Sequence, residues 1–276
     1  MPQEKKDRLI RPLLQLQRLG LSIEVNGWRS AIADASQRLS RSLRNNGVAG
    51  TLQRMVRNPK AVDKVKAPPQ IALFDRIHGT DTSGFIYGAW LSTLFGTAYI
   101  GSSPSSLRPA LAALPIVHKD FTFIDLGCGK GRALFVAAEF PFRRLIGVEM
   151  AGELCEIARA NVVTNPEWES RISIIKQHAK DFVYPDGPLL LYLYNPFFAP
   201  VLRRVLKNLE RQLRQSPRPV FVLYADNPRF TQVLGAFPFL RELSETSYPL
   251  SAEDAALHAL HRTEEWYTLY SADVTR

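Results

Sequence analysis

Three glycines in five residues, set between an apolar run and an apolar helical pattern, constrain this chain more than any other feature: Phe123-Ile124-Asp125-Leu126-Gly127-Cys128-Gly129-Lys130-Gly131-Arg132. The run Phe121–Leu126 has the length and composition of a buried strand. Glycine after it permits a tight turn and leaves bare backbone against which a ligand can lie. Further apolar runs at Arg144–Val148, Ile172–Lys176, Leu189–Tyr194 and Val220–Tyr224 alternate with helical patterns at Arg132–Glu139, Gly152–Val163 and Pro200–Leu213. That alternation predicts βαβ units, hence an α/β fold with a doubly wound, mostly parallel sheet. Glu264–Ser271, alternating around Trp266 and Leu269, predicts a last, antiparallel strand. In such a sheet ligands bind beyond the carboxyl ends of the strands, where the glycine loop would sit.

The second candidate strand runs into Glu149, whose carboxylate has the acceptor sites to take both hydroxyl hydrogens of a ribose. Loop and acid together point to a nucleoside-containing cofactor. Dinucleotide binders share this logic, but their G-x-G-x-x-G spacing needs a third glycine where this chain has Arg132. Here the glycines run G-x-G-x-G and follow Asp125, an acid that would face a cationic group well and a pyrophosphate badly.

Composition limits the remaining classes. The two cysteines, Cys128 and Cys155, belong to no C-x-x-C or spaced Cys/His set, which argues against a disulfide framework or a structural zinc site and favours a reducing compartment. No metal site is expected. The apolar stretch Leu9–Leu21 is broken by Arg11, Gln15, Gln17 and Arg18, so neither a signal peptide nor a spanning helix is expected and a cytoplasmic location is. The net charge of +9 resides in one place. Residues 1–66 hold fourteen Lys and Arg against five acids, while the rest holds 21 of each sign, so the high pI says nothing about the substrate of the main body. Ile32, Ala35, Leu39 and Leu43 fall on one helical face, and the Lys-rich stretch closed by Pro68-Pro69 reads as a linker. The expected organisation is a basic helical extension with linker over 1–66 and a catalytic body over 67–276.

Ile124-Asp125-Leu126-Gly127-Cys128-Gly129-Lys130-Gly131 resembles motif I of the class I S-adenosylmethionine-dependent methyltransferases, and Val148-Glu149 resembles their motif II. The resemblance covers about residues 95–276 and implies a Rossmann-like, seven-stranded sheet and S-adenosylmethionine as cofactor. It assigns cofactor contacts to Asp125, Gly127, Gly129, Gly131 and Glu149. After the third strand the family often has an acid that reaches the adenine amine. The chain reads Gln177-His178-Ala179-Lys180-Asp181-Phe182 there, leaving Asp181, with His178 as rival. Phe95–Pro104 resembles the segment that lies over the cofactor in several methyltransferases, with Tyr99 as the candidate residue.

The fourth strand delivers Asn195-Pro196-Phe197 to the same sheet edge. An Asn oxygen and the following carbonyl can accept the N–H hydrogens of an amine and turn its lone pair toward a methyl group, while Phe197 packs on a flat acceptor. The tripeptide resembles the Asn-Pro-Pro-aromatic motif of amino-group methyltransferases, departing at its third position. The arrangement is similar to a little-characterised bacterial group and, more distantly, to protein-lysine methyltransferases. It implies methyl transfer to nitrogen of a protein or small amine, with Asn195, Pro196 and Phe197 as the catalytic turn. The competing expectations are a nucleic-acid methyltransferase recruited by residues 1–66, a non-catalytic cofactor-binding partner protein, and, for the turn alone, a simple proline-bounded strand exit. Phe74–Gly84, dense in hydroxyls, acids and glycines, suits a ligand loop or a capped turn equally. His258 and His261 read as surface residues.

Overall fold

The computed structural model describes residues 72–83, 99–194, 196–197, 199–225, 231–257 and 262–274. The N-terminal extension, the 66/67 boundary, Asn195, His258 and His261 lie outside them. In chain order the elements are α1 (Ala72–His78), α2 (Pro104–Ala112), β1 (Thr122–Leu126), α3 (Arg132–Ala138), β2 (Arg144–Glu149), α4 (Gly152–Val163), β3 (Ile172–Lys176), β4 (Leu189–Tyr194), α5 (Ala199–Gln215), β5 (Val220–Ala225), α6 (Thr231–Gly235), β6 (Leu240–Pro249), α7 (Ala252–Leu257) and β7 (Glu264–Ala272), with short helical turns at Pro166–Glu169 and Ala179–Asp181.

The strands form one seven-stranded sheet in the order β3-β2-β1-β4-β5-β7-β6. The first five run parallel. β7 pairs antiparallel with β5, and β6 antiparallel with β7. The chain winds outward from β1 to β3, then returns to the other side of β1 as β4, so the topological switch falls between β1 and β4. Crevices at such switches are where ligands of open α/β sheets bind. Asp125 pairs with Tyr192 across that junction.

β1 is buried throughout and β4 up to its last residue, because helices cover both faces of the parallel core. Side chains alternate between the faces. Ile124, Leu126, Leu191 and Leu193 meet the α5 stripe of Leu202, Leu206 and Leu209 on one side. Phe123, Leu190 and Tyr192 meet Leu107 and Leu111 of α2 and Leu134 and Phe135 of α3 on the other. The face of α5 away from the sheet carries exposed Arg203, Arg204, Lys207, Arg211 and Arg214, the amphipathic division its sequence spacing predicts.

Two elements escape the sequence pattern for physical reasons. Helix α2 begins on Pro104, which suits a first turn, but also contains Pro109, which removes a backbone donor and disguises the helical signal. Strand β6 lies at the sheet edge with only β7 beside it, carries a register shift between Glu242 and Ser244, and exposes Arg241 to Thr246. An edge strand facing water has no need of apolar alternation, and charge there discourages pairing with other chains.

Candidate cofactor and acceptor site

The glycine loop leaves β1 and turns back beneath β2. The Gly127 and Cys128 N–H groups donate to the Val148 carbonyl at 2.8 and 3.1 Å, and the Gly131 N–H donates to the Cys128 carbonyl at 2.8 Å. Gly127, Gly129 and Gly131 adopt φ of 91°, 54° and 90°, the left-handed region that side chains with a Cβ rarely enter. At two of them close approach adds a second demand. A Cβ on Gly129 would stand 2.2 Å from the Tyr99 ring, and one on Gly127 would stand 2.6 Å from Pro196 Cβ. The Phe197 ring approaches the same Gly127 position at 3.8 Å. Tyr99 thus covers one side of the loop and the Pro196-Phe197 turn another, bringing together residues far apart in sequence that the motif reading had selected separately.

Glu149 is bound into this loop rather than standing apart from it. One carboxylate oxygen accepts the Gly129 N–H at 3.0 Å, and the other accepts the Met150 and Ala151 N–H groups, each at 2.8 Å. Asp125 lies beneath, 4% exposed. Burial, and then the charge of Glu149, push its pKa well above the ordinary carboxylate value. A buried acid beside a second acid favours a cationic ligand, whose charge would offset the desolvation that disfavours the ionised form.

That shift has a stability consequence. An acid whose folded-state pKa is raised lends stability that is fully present below its unfolded value, 3.8, and that is lost as the pH rises through the raised value. Asp125→Asn is therefore expected to raise the melting temperature of the ligand-free protein at neutral pH while weakening its hold on a cationic ligand. Thermal scans at pH 4 and pH 7.5 check it: the variant's advantage should be confined to the higher pH. A lower melting temperature at pH 7.5 would contradict the argument.

A third element of the site lies in the hydroxyl- and acid-rich stretch that begins in α1. Asp75 of α1 accepts the Thr80 hydroxyl at 2.8 Å, the Thr82 N–H at 2.8 Å, the Thr82 hydroxyl at 2.6 Å and the Ser83 N–H at 2.8 Å. Burial works against its charge, and the bonds from Ser83, Thr82 and Thr80 outweigh burial, so its pKa falls below the ordinary value. Thr80, Thr82 and Ser83 thus form a turn capped by Asp75. The turn is then strapped onto the glycine loop. Lys130 Nζ meets Asp81 at 2.8 Å and the Ser83 carbonyl at 2.7 Å. Arg132 donates to the Thr82 and Ser83 hydroxyls, each at 2.9 Å, and the Tyr99 hydroxyl donates to the Thr82 carbonyl at 2.6 Å. Asn161 of α4 accepts the Asp81 N–H at 2.7 Å. Lys130, inside the glycine run, and Arg132, directly after it, therefore hold the strap.

On the β3 side, Asp181 ends the short helical turn with its side chain 55% exposed and paired to Lys180 at 2.5 Å. His178 is exposed at the start of that turn. On the β4 side, four hydroxyls converge on Glu265 of β7, which is fully buried. Tyr194 and Ser103 donate to one carboxylate oxygen at 2.6 and 2.9 Å. Ser106 donates to the other, and the Tyr267 hydroxyl lies 3.1 Å from that second oxygen and 2.9 Å from Ser106 Oγ. Tyr192, one β4 pleat earlier, donates to Ser102 at 2.9 Å. In β7 the expected alternation holds only at the start, with Trp266 at the surface and Glu265 inside, and Tyr267 to Tyr270 are all buried.

A family model described as a methyltransferase domain matches residues 124–218, the span from the glycine loop through α5. Over those residues the chain carries a methyltransferase domain. No curated protein matches it in sequence. Among solved structures, the methyltransferase domain is similar to precorrin-6y C5,15-methyltransferase from Geobacter metallireducens at 12% identity and a TM-score of 0.41, over 60% of this chain and 87% of that one. It is also similar to geranyl diphosphate C-methyltransferase from Streptomyces coelicolor A3(2), at 14% identity and a TM-score of 0.39, over 61% and 76% of the two chains. Among the described residues of the methyltransferase domain, no helix is long and apolar enough to cross a membrane, and no group of three or more His, Cys, Asp or Glu is placed to hold a metal ion.

Proposed function

We propose that this protein binds S-adenosylmethionine at the glycine loop and transfers its methyl group to nitrogen on a protein or a small amine. The observation that carries the reading is the pairing of bare left-handed backbone at Gly127, Gly129 and Gly131 with two acids, buried Asp125 and loop-bound Glu149, under the cover of Tyr99. That donor set suits a cationic, ribose-bearing ligand. A pyrophosphate would meet two carboxylates.

When bound, S-adenosylmethionine supplies a methyl group activated by the sulfonium it sits on. The task left to the chain is alignment and exclusion of water. Asp125 faces the positive charge of the methionine part, Glu149 takes the ribose hydroxyls, and Asp181 at the β3 exit is the group offered to the adenine amine. Tyr99 closes the loop on the side of the strap. Asn195, between Tyr194 and Pro196 in sequence, is assigned the acceptor: its side-chain oxygen takes an N–H of the amine and turns the lone pair toward the methyl. Pro196 fixes the turn against Gly127, and Phe197 flanks the acceptor. Nucleic acid is the second reading, supported by the concentration of the entire +9 charge in residues 1–66.

Titration calorimetry tests the cofactor: S-adenosylmethionine and S-adenosylhomocysteine should bind the full chain and NAD should not. NAD binding without S-adenosylmethionine binding would overturn the proposal. The acceptor is tested by incubating enzyme and isotopically methyl-labelled cofactor with cell extract and locating the label by fragmentation mass spectrometry. Label on nitrogen of a protein or small molecule is expected. Label on nucleic acid would select the second reading, and label on oxygen or carbon would remove the nitrogen assignment.

A further inference from the structure

Glu265 takes no part in the cofactor loop, yet it is the most deeply placed acid at the carboxyl edge of the sheet. Burying a carboxylate is costly unless hydrogen bonds replace water. Here they do: Ser103, Ser106 and Tyr194 each direct a hydroxyl proton at it, and the Tyr267 hydroxyl stands in the same cage. Hydrogen bonds directed at a carboxylate favour its anion over its protonated form. The phenols report the same charge. Burial first and Glu265 second push the pKa of Tyr194 and of Tyr267 well above the ordinary value, so both stay protonated as donors. Arg262, partly exposed ahead of β7, also acts on Tyr194, with its charge open to solvent screening.

The position of this anion in the fold gives it meaning. Tyr194 is the last residue of β4, two residues before the proline that covers Gly127. Ser103 follows, by four residues, the tyrosine that covers Gly129. Tyr192 feels both Glu265 and Asp125, Glu265 the more strongly. The edge therefore carries fixed acids on two sides: Asp125 and Glu149 at the β1–β2 loop, and Glu265 behind the β4 exit where the acceptor is assigned.

We propose that Glu265 is a specificity-determining residue of the acceptor half of the site: its buried carboxylate, lying behind the Tyr194 hydroxyl, favours an acceptor atom that becomes cationic on methylation, an amine nitrogen. This rests on the methyl-transfer reading above and deepens it. In transfer to an amine the nitrogen lone pair forms the new N–C bond, the S–C bond breaks with its electron pair left on sulfur, and the positive charge passes from sulfur to nitrogen. The methylated ammonium then loses a proton to solvent. A fixed negative charge on the acceptor side stabilises that displacement of charge without reorganising during it. A phenolate oxygen or an enolate carbon arrives as an anion, and the same carboxylate repels it.

Sinefungin is a probe for this that needs no identified acceptor. It is an analogue of S-adenosylmethionine in which a carbon bearing a protonated amine, projecting toward the acceptor, replaces the methyl-bearing sulfonium. We expect the full-length protein to bind sinefungin about tenfold more tightly than S-adenosylhomocysteine, the order set by two unit charges roughly 12 Å apart at an effective dielectric constant of about 20. Glu265→Gln should leave S-adenosylhomocysteine affinity within about threefold of wild type and abolish most of the sinefungin preference. Tyr194→Phe, which removes a hydroxyl and leaves the charge, should retain the preference. Because a buried charge is poorly screened, the wild-type preference should also persist in 1 M NaCl, which tests the point if Glu265→Gln does not fold. Equal wild-type affinity for the two ligands, an unchanged ratio in folded Glu265→Gln, or a preference erased by salt would each overturn the inference. Failure of the wild type to bind either ligand would instead sink the cofactor reading, and this one with it.

Discussion

Gly129→Val is expected to abolish detectable S-adenosylmethionine binding while leaving the cooperative unfolding transition in place. The backbone at 129 has a φ of 54°, which a β-branched residue adopts only under strain, and the added Cβ would lie 2.2 Å from the Tyr99 ring. Tyr99 would have to leave the loop, releasing its hydrogen bond to the Thr82 carbonyl. Glu149→Ala should reach the same end by another route, because that carboxylate holds the Gly129, Met150 and Ala151 N–H groups as well as being the proposed ribose acceptor. Losing both functions should weaken the cofactor by about a hundredfold or more, as the loss of a charged acceptor and its orphaned donors would. Calorimetry beside circular dichroism decides it. Unchanged affinity in both variants, with the fold intact, would place the cofactor elsewhere.

Asn195→Ala is expected to slow methyl transfer by about a hundredfold or more with cofactor affinity nearly intact, the scale on which a lost positioning contact is felt. The expectation follows from the neighbours of Asn195 in the chain: Tyr194, fixed to Glu265 at 2.6 Å, and Pro196, packed against the Gly127 position. Asn195→Asp should keep part of the rate, because an acceptor oxygen remains. The measurement is single-turnover transfer to the acceptor found in labelled extract. A fully active Asn195→Ala enzyme would reduce the turn to a strand exit.

The parallel core was legible because its strands are buried on both faces and its helices carry one apolar stripe each, so β1 to β5 and α3 to α5 fall within two residues of where periodicity sets them. Strand β6 and helix α2 were hidden, the first because an edge strand in water needs no apolar pattern, the second because Pro109 interrupts the helical signal. In the site, glycine spacing marked the loop, since only glycine combines positive φ with close approach, and the acid after β2 marked its companion. Glu265 gave no sign: the second of two acids at the start of a strand reads as surface.

By itself, then, the sequence determined the local items: which segments alternate, where the backbone must be bare, and which acids stand one step past a strand. These are properties of neighbouring residues and survive without knowledge of the fold. Tertiary structure alone decided that Lys130 and Arg132 clamp a turn anchored by Asp75, that Tyr99 and Pro196 close on two glycines of one loop, and that Ser103, Ser106, Tyr194 and Tyr267 converge on Glu265. Each of those depends on burial, which turns an ordinary hydroxyl or carboxylate into one that must find a partner, and partners brought together from 50 or 160 residues away leave no spacing to read.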